Sequence, residues 1–267
     1  MLPLKEVIRA LRAKKSLGQN FLIDPNILQR IVTAASPLEG RTILEIGPGP
    51  GGLSREIIKH PCAAIILVEQ DSRCLPYLEE LKEHTQANFS LLNADATTLP
   101  LHTFGTAPRK VIANLPYNVS VPLLLAWLQH IDAFESLTLM FQKEVADRLM
   151  ASPNTSVYGR LSVMCQAYAK VEKLFELPPG AFFPPPKVTS TLVQLTPRKL
   201  SKEIPWKALE TVTKAAFSQR RKMLRSTLKG TVSLSCLETL DLSPTNRAED
   251  LSVQNFIDLS SYWSPLT

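Results

Sequence analysis

At 267 residues with 45% hydrophobic side chains, the chain can fill a substantial core. No stretch approaches the roughly 18 uninterrupted apolar residues of a membrane span, and Met1-Leu2-Pro3-Leu4-Lys5-Glu6 lacks the apolar run of a signal peptide, so a soluble cytoplasmic protein is expected. Cys62, Cys74, Cys165 and Cys236 lie far apart with no C-x-x-C pair, which argues against a zinc site or a disulfide framework, and the net charge of +6 is too unevenly spread to serve general solubility.

The unevenness begins at the N-terminus. Residues 1–20 carry Lys5, Arg9, Arg12, Lys14 and Lys15 against Glu6, for +4. From about residue 40, short β-branched apolar runs alternate with helical spacing, the pattern of a parallel sheet covered by helices. Strands are predicted at 42–47, 64–69, 89–95, 111–114 and 137–141, with helices at 52–60, 72–83 and 121–130 between them. A later strand pair, near 170–176 and 188–195, brackets Phe182-Phe183-Pro184-Pro185-Pro186-Lys187, whose prolines exclude a central strand and require a loop or stiff arm. Beyond Pro197 the pattern changes to short amphipathic segments at 205–229, 235–240 and 248–260. The expected division is therefore an α/β domain over 1–200, with the basic segment at its start, and a small all-helical domain over 201–267. Within the latter, Lys214, Arg220, Arg221, Lys222, Arg225 and Lys229 give 211–229 a charge of +6 with no acid, so the rest of the chain outside the two basic runs is at −4. Concentrated basicity on an acidic background fits a polyanion such as nucleic acid.

Several strand ends carry chemistry. Glu45-Ile46-Gly47-Pro48-Gly49-Pro50-Gly51-Gly52 sits where the first predicted strand turns into a helix, and its glycines let the backbone pass close to a nucleotide-like ligand. Gly47, Gly49 and Gly52 also satisfy G-x-G-x-x-G, so this loop alone leaves a dinucleotide reading open. Glu69 ends the second strand, where a carboxylate can accept both hydroxyls of a ribose, and Asp95 follows the third, where one can accept an adenine amine. Asn114-Leu115-Pro116-Tyr117 ends the fourth. The Asn114 side-chain oxygen and the Leu115 carbonyl can hold the two hydrogens of a planar amine, Pro116 keeps Leu115 extended, and Tyr117 offers a flat face to a base. Such a set suits methyl transfer from S-adenosylmethionine to an adenine amine. Phe182 is either a second aromatic over the base or a core residue preceding the proline arm. His60, His84, His102 and His130 show no ligand or triad spacing.

Taken with Lys15-Ser16-Leu17-Gly18-Gln19-Asn20-Phe21-Leu22, Gln142-Lys143-Glu144-Val145-Ala146, Tyr158-Gly159-Arg160-Leu161-Ser162-Val163 and Phe217-Ser218-Gln219-Arg220-Arg221-Lys222, these motifs resemble the bacterial small-subunit rRNA adenine dimethyltransferases of the KsgA/RsmA family. The resemblance covers nearly the whole chain. It implies a Rossmann-like S-adenosylmethionine-dependent methyltransferase fold and N6-dimethylation of two adjacent adenosines in a hairpin loop near the 3′ end of 16S rRNA. The expected partner is the 30S subunit or its precursor, met by a monomer without membrane or metal. By the family's pattern Asn20, Leu22, Gly47, Glu69, Asp95 and Asn114 contact the cofactor or shape its pocket, and Leu115, Tyr117 and Phe182 stand at the target base. The chain departs from relatives at Met223 and Ser226-Thr227, where Thr and Asn-Asn are commoner. Rival readings are a 23S rRNA adenine methyltransferase of the macrolide-resistance type, a non-catalytic RNA-binding assembly or transcription factor, and, more remotely, an NAD-dependent dehydrogenase. The basic segments 1–20 and 211–229 are expected to flank the cleft and grip phosphates.

Overall fold

Continuous apolar runs become buried parallel strands. A computed structural model describes residues 2–11, 13–14, 18–199 and 203–263; Arg12 and Lys15 of the basic N-terminal segment lie outside the described residues. The strands are β1 (Phe21–Leu22), β2 (Thr42–Ile46), β3 (Ala64–Glu69), β4 (Asn88–Asn93), β5 (Arg109–Ala113), β6 (Ser136–Gln142), β7 (Ala169–Leu177), β8 (Phe182–Phe183) and β9 (Ser190–Pro197). Seven of them form one sheet in the order β4-β3-β2-β5-β6-β9-β7, and β1 pairs with β8. The five strands from β4 to β6 are parallel, whereas β9 runs antiparallel to β6 and brings Ser190 opposite Gln142. Central β2 is buried along its whole length, because helices cover both faces of a parallel sheet, while edge strand β4 keeps exposed positions.

The helices are α1 (Leu4–Leu11), α2 (Pro25–Ala35), α3 (Gly52–Ile57), α4 (Leu75–Glu79), α5 (Tyr117–Leu128), α6 (Lys143–Leu149), α7 (Arg160–Tyr168), α8 (Trp206–Ala216), α9 (Leu224–Thr227), α10 (Leu234–Thr239) and α11 (Val253–Ser260). Asp24 starts α2 by accepting from the N–H groups of Asn26 and Ile27 at 2.9 and 3.4 Å, and Leu28, Ile31 and Val32 of that helix enter the core with Ile43, Ile65 and Ile112 of the sheet. Helix α5 begins at Tyr117, four residues before the predicted start, since Pro116 supplies an extended cap and Tyr117 is already helical.

By its internal contacts the chain forms two units, Met1–Ala146 with Glu172–Pro197, and Asp147–Val171 with Arg198–Thr267. Residues 147–171, counted with the first domain from sequence, go with the second because α7 packs on α8 and α11. The buried Tyr158 hydroxyl donates to the Leu251 carbonyl at 2.9 Å, and Thr213 Oγ1 contacts Met164 Sδ at 3.6 Å. The stretch 205–229 reads as one amphipathic segment but is interrupted. Helix α8 ends at Ala216, where Phe217 packs against Tyr158 and Phe256, and the Leu224 N–H is drawn away to the Asn246 carbonyl at 2.8 Å. Arg220, Arg221 and Lys222 therefore stand on a turn, where Arg220 also pairs with Glu249 at 2.9 Å.

Candidate active site

Strands β4, β3 and β2 lie side by side, so their carboxyl ends form a row carrying Asp95, Glu69 and the glycine loop, the place where open α/β sheets bind ligands. Gly49 adopts φ +56, and a Cβ there would come within 2.9 Å of the Phe21 ring. Its N–H donates to Glu69 Oε2 at 2.8 Å, while the Asp71 N–H donates to Oε1 at 2.7 Å, so backbone alone orients both oxygens of a buried carboxylate. Burial pushes the Glu69 carboxyl upward. Hydroxyl donors from a ligand favour the charged form and offset that cost. Asp95 accepts the Thr97 N–H at 2.9 Å and the Thr97 hydroxyl at 2.7 Å, both on Oδ1, which hold its carboxyl below the ordinary range and leave Oδ2 to an outside donor.

Glu45, the first residue of the glycine-loop motif, is a buried carboxyl near the end of β2. It is 1% exposed and accepts the Ser54 hydroxyl at 2.6 Å, and burial raises its carboxyl to about 8. It lines the same cavity as the glycine loop.

On the other side of β2, strand β5 delivers Asn114. Its Nδ2 donates to the Asn20 carbonyl at 3.1 Å, which fixes the amide plane and turns Oδ1 into an available acceptor. Among the described residues no backbone or side-chain donor takes the Leu115 carbonyl. Pro116 (φ −54, ψ 133) sets the direction of the chain into α5. The Tyr117 hydroxyl shares a 2.6 Å hydrogen bond with the Ser190 Oγ, and burial raises its pKa, so the ring is held by its far end and serves as a neutral aromatic face. Gly18 (φ +61) lies close to this loop: a Cβ added there would come within 3.2 Å of Asn118 Oδ1 and 3.4 Å of Pro116.

Together these groups enclose a cavity of about 340 Å³, within the range of small-molecule sites. Asn20, Leu22, Gly47, Glu69, Asp95, Asn114, Leu115 and Tyr117 all line it. Phe182 does not. It is 2% exposed within the core cluster, paired with Leu22 across the β1–β8 ribbon, and the exposed ring is its neighbour Phe183, at 47%. Alternation of side chains along a strand sends the two rings to opposite faces. Gln19, Asp71 and Ser190 hold the site without having been singled out. The Ser190 bond spans 73 residues, and no local motif announces it. Among the described residues no helix is long and apolar enough to cross a membrane, and no group of three or more His, Cys, Asp or Glu could hold a metal ion.

A family model described as ribosomal RNA adenine dimethylase matches residues 10–264. The ribosomal RNA small subunit methyltransferase A of Sinorhizobium medicae is 46% identical over 264 residues, 97% of this chain and 96% of that protein. Its counterpart of the same name in Rhodospirillum rubrum is 47% identical over 262 residues, 97% and 91% of the two chains. Among solved structures, a dimethyladenosine transferase from Plasmodium falciparum matches with a TM-score of 0.79 at 28% identity, covering 90% of this chain and 95% of that one. The 23S rRNA methyltransferase ErmE shares the fold, with a TM-score of 0.68 at 23% identity over 91% and 99% of the chains.

Proposed function

Because the chain belongs to the ribosomal RNA adenine dimethylase family, and is an rRNA adenine dimethyltransferase, we propose that it uses S-adenosylmethionine to dimethylate N6 of two adjacent adenosines in a hairpin loop near the 3′ end of 16S rRNA. It does so on the small ribosomal subunit or its precursor, in the cytoplasm. It acts as a monomer. The observation that carries this reading is the Asn114 amide, which lines the cavity with Leu115 and is anchored through Nδ2, leaving Oδ1 as its acceptor.

The residues present fit the cofactor. Glu69 has two oriented oxygens for ribose hydroxyls, Asp95 keeps Oδ2 for an adenine amine, and the glycine loop around Gly47 lets backbone approach a ligand. Asn20 and Leu22 close the pocket from the N-terminal side. When bound, S-adenosylmethionine supplies a methyl group made electrophilic by its sulfonium. The chain's own work is on the amine. An adenine N6 lone pair is delocalised into the ring, and two acceptors on its hydrogens, Asn114 Oδ1 and Leu115 O, favour the tetrahedral nitrogen that can attack in line. Tyr117 takes the base on its ring, an interaction of roughly 1–3 kcal/mol that offsets unstacking. The amine becomes acidic as the new bond forms, so no strong base is required of the protein. Phe182 lies beside Leu22 in the core cluster and is given no contact with the base.

The test is to incubate the protein with labelled cofactor and small-subunit particles lacking the modification, then map the methylated bases. Two adjacent dimethyladenosines near the 3′ end are expected. No transfer to those particles, or transfer only to large-subunit RNA, would sink the assignment.

A further inference from the structure

Asp71 lies two residues past Glu69 and is 5% exposed, an uncommon place for a carboxylate with no assigned task. Its backbone N–H holds Glu69 Oε1 at 2.7 Å, and its side chain reaches the other way. Oδ2 accepts Gln19 Nε2 at 2.9 Å and Arg73 Nη2 at 2.6 Å, and Oδ1 accepts Arg73 Nε at 2.9 Å. Arg73 in turn donates to the Leu11 carbonyl at 2.5 Å, and Gln19 Oε1 accepts the Lys14 N–H at 2.9 Å. One residue beyond Gln19, the Asn20 carbonyl receives Asn114 Nδ2 at 3.1 Å. Glu69, Asp71, Gln19, Asn20 and Asn114 are thus joined by an unbroken series of hydrogen bonds and chain links, from the cofactor side of the cavity to the target side.

Residues 18–20 belong to no helix or strand, so their position depends on such side-chain anchors. The bidentate guanidinium holds the Asp71 carboxyl down at about 2, which keeps it an acceptor at any working pH. We propose that Asp71 and Gln19 form a clasp that fixes the 18–20 strap and, through the Asn20 carbonyl, keeps the Asn114 amide in its amine-accepting pose. Asp71 is a positioning residue for methyl transfer. The inference rests on the reading of Asn114 given above.

Gln19→Met removes the bond to Asp71 with little change of shape. It is expected to lower kcat on unmodified particles about tenfold, the scale of a lost hydrogen bond to a charged group, with the cofactor Kd measured by calorimetry within about threefold of wild type. Hydrogen exchange of the backbone amides at 18–22 should quicken in the same variant. Gln19→Glu sets a carboxylate against Asp71 and should be worse. Unchanged exchange at 18–22 in Gln19→Met, an unchanged kcat, or loss confined to cofactor affinity would overturn the clasp. If instead the wild-type protein fails to methylate 16S adenosines, or Asn114→Ala keeps full turnover, the functional reading fails, and the exchange measurement still decides whether Gln19 holds the strap.

Discussion

The two halves of the cavity are built on different scales of chain separation. On the cofactor side, Glu69 is oriented by N–H groups 2 and 20 residues away, and Asp95 by Thr97, its near neighbour. On the target side, Asn114 is anchored 94 residues away at Asn20, and Tyr117 73 residues away at Ser190. The first half is a product of parallel strands ending in a row, each supplying its own loop. The second exists only when the N-terminal strap and β9 have both arrived. In the proposed reading the first half binds a ligand in its ground state and the second reshapes an amine, so the contacts that matter in the transition state are the ones held over long spans.

Four substitutions, one of them a control, probe that contrast, beginning with the greatest loss. Phe182→Ala empties a buried site in the core cluster and is expected to cost about 3–5 kcal/mol of stability in denaturant unfolding, while Phe183→Ala, on the exposed face, stays within roughly 0.5 kcal/mol of wild type. A Phe182→Ala protein as stable as wild type but inactive would move that ring from the core to the target side. Asn114→Ala is expected to lower single-turnover methylation by about 10²–10³, as removal of one preorganised polar contact does, with cofactor affinity much better retained. Equal losses of affinity and turnover would make Asn114 a cofactor ligand and erase the distinction between the halves. Tyr117→Phe keeps the aromatic face and strands the buried Ser190 hydroxyl, for a loss of about 1 kcal/mol in unfolding free energy and little change in KM for particles. No change in stability would show that the long-range bond contributes nothing measurable.

The same contrast explains what could be read from the chain. The glycine loop, Glu69 and Asp95 were legible because each lies at the carboxyl end of a predicted strand, and the order of those strands puts them at one edge of the sheet. Asn114-Leu115-Pro116-Tyr117 was legible as a motif, but its anchors were not, since nothing near Ser190 or Asn20 marks them as partners. Phe182 and Phe183 looked interchangeable in sequence. Pairing of Leu22 with Phe182 decided which ring faces the core, and that pairing joins opposite ends of the domain. The basic stretch at 211–229 carried helical spacing throughout, yet a packed Phe217 and a backbone bond to Asn246 broke it, a tertiary override that local propensity cannot register.

Strand β9 runs against its neighbour, so it offers its beginning to the rim where the parallel strands offer their ends. Every side chain that meets a nucleotide in the proposed reading, Asn20 through Tyr117, has been synthesised well before Ser190 leaves the exit tunnel. A polypeptide emerging from one ribosome therefore carries every lining residue of the proposed cofactor pocket before the tyrosine that will receive another ribosome's RNA has its tether.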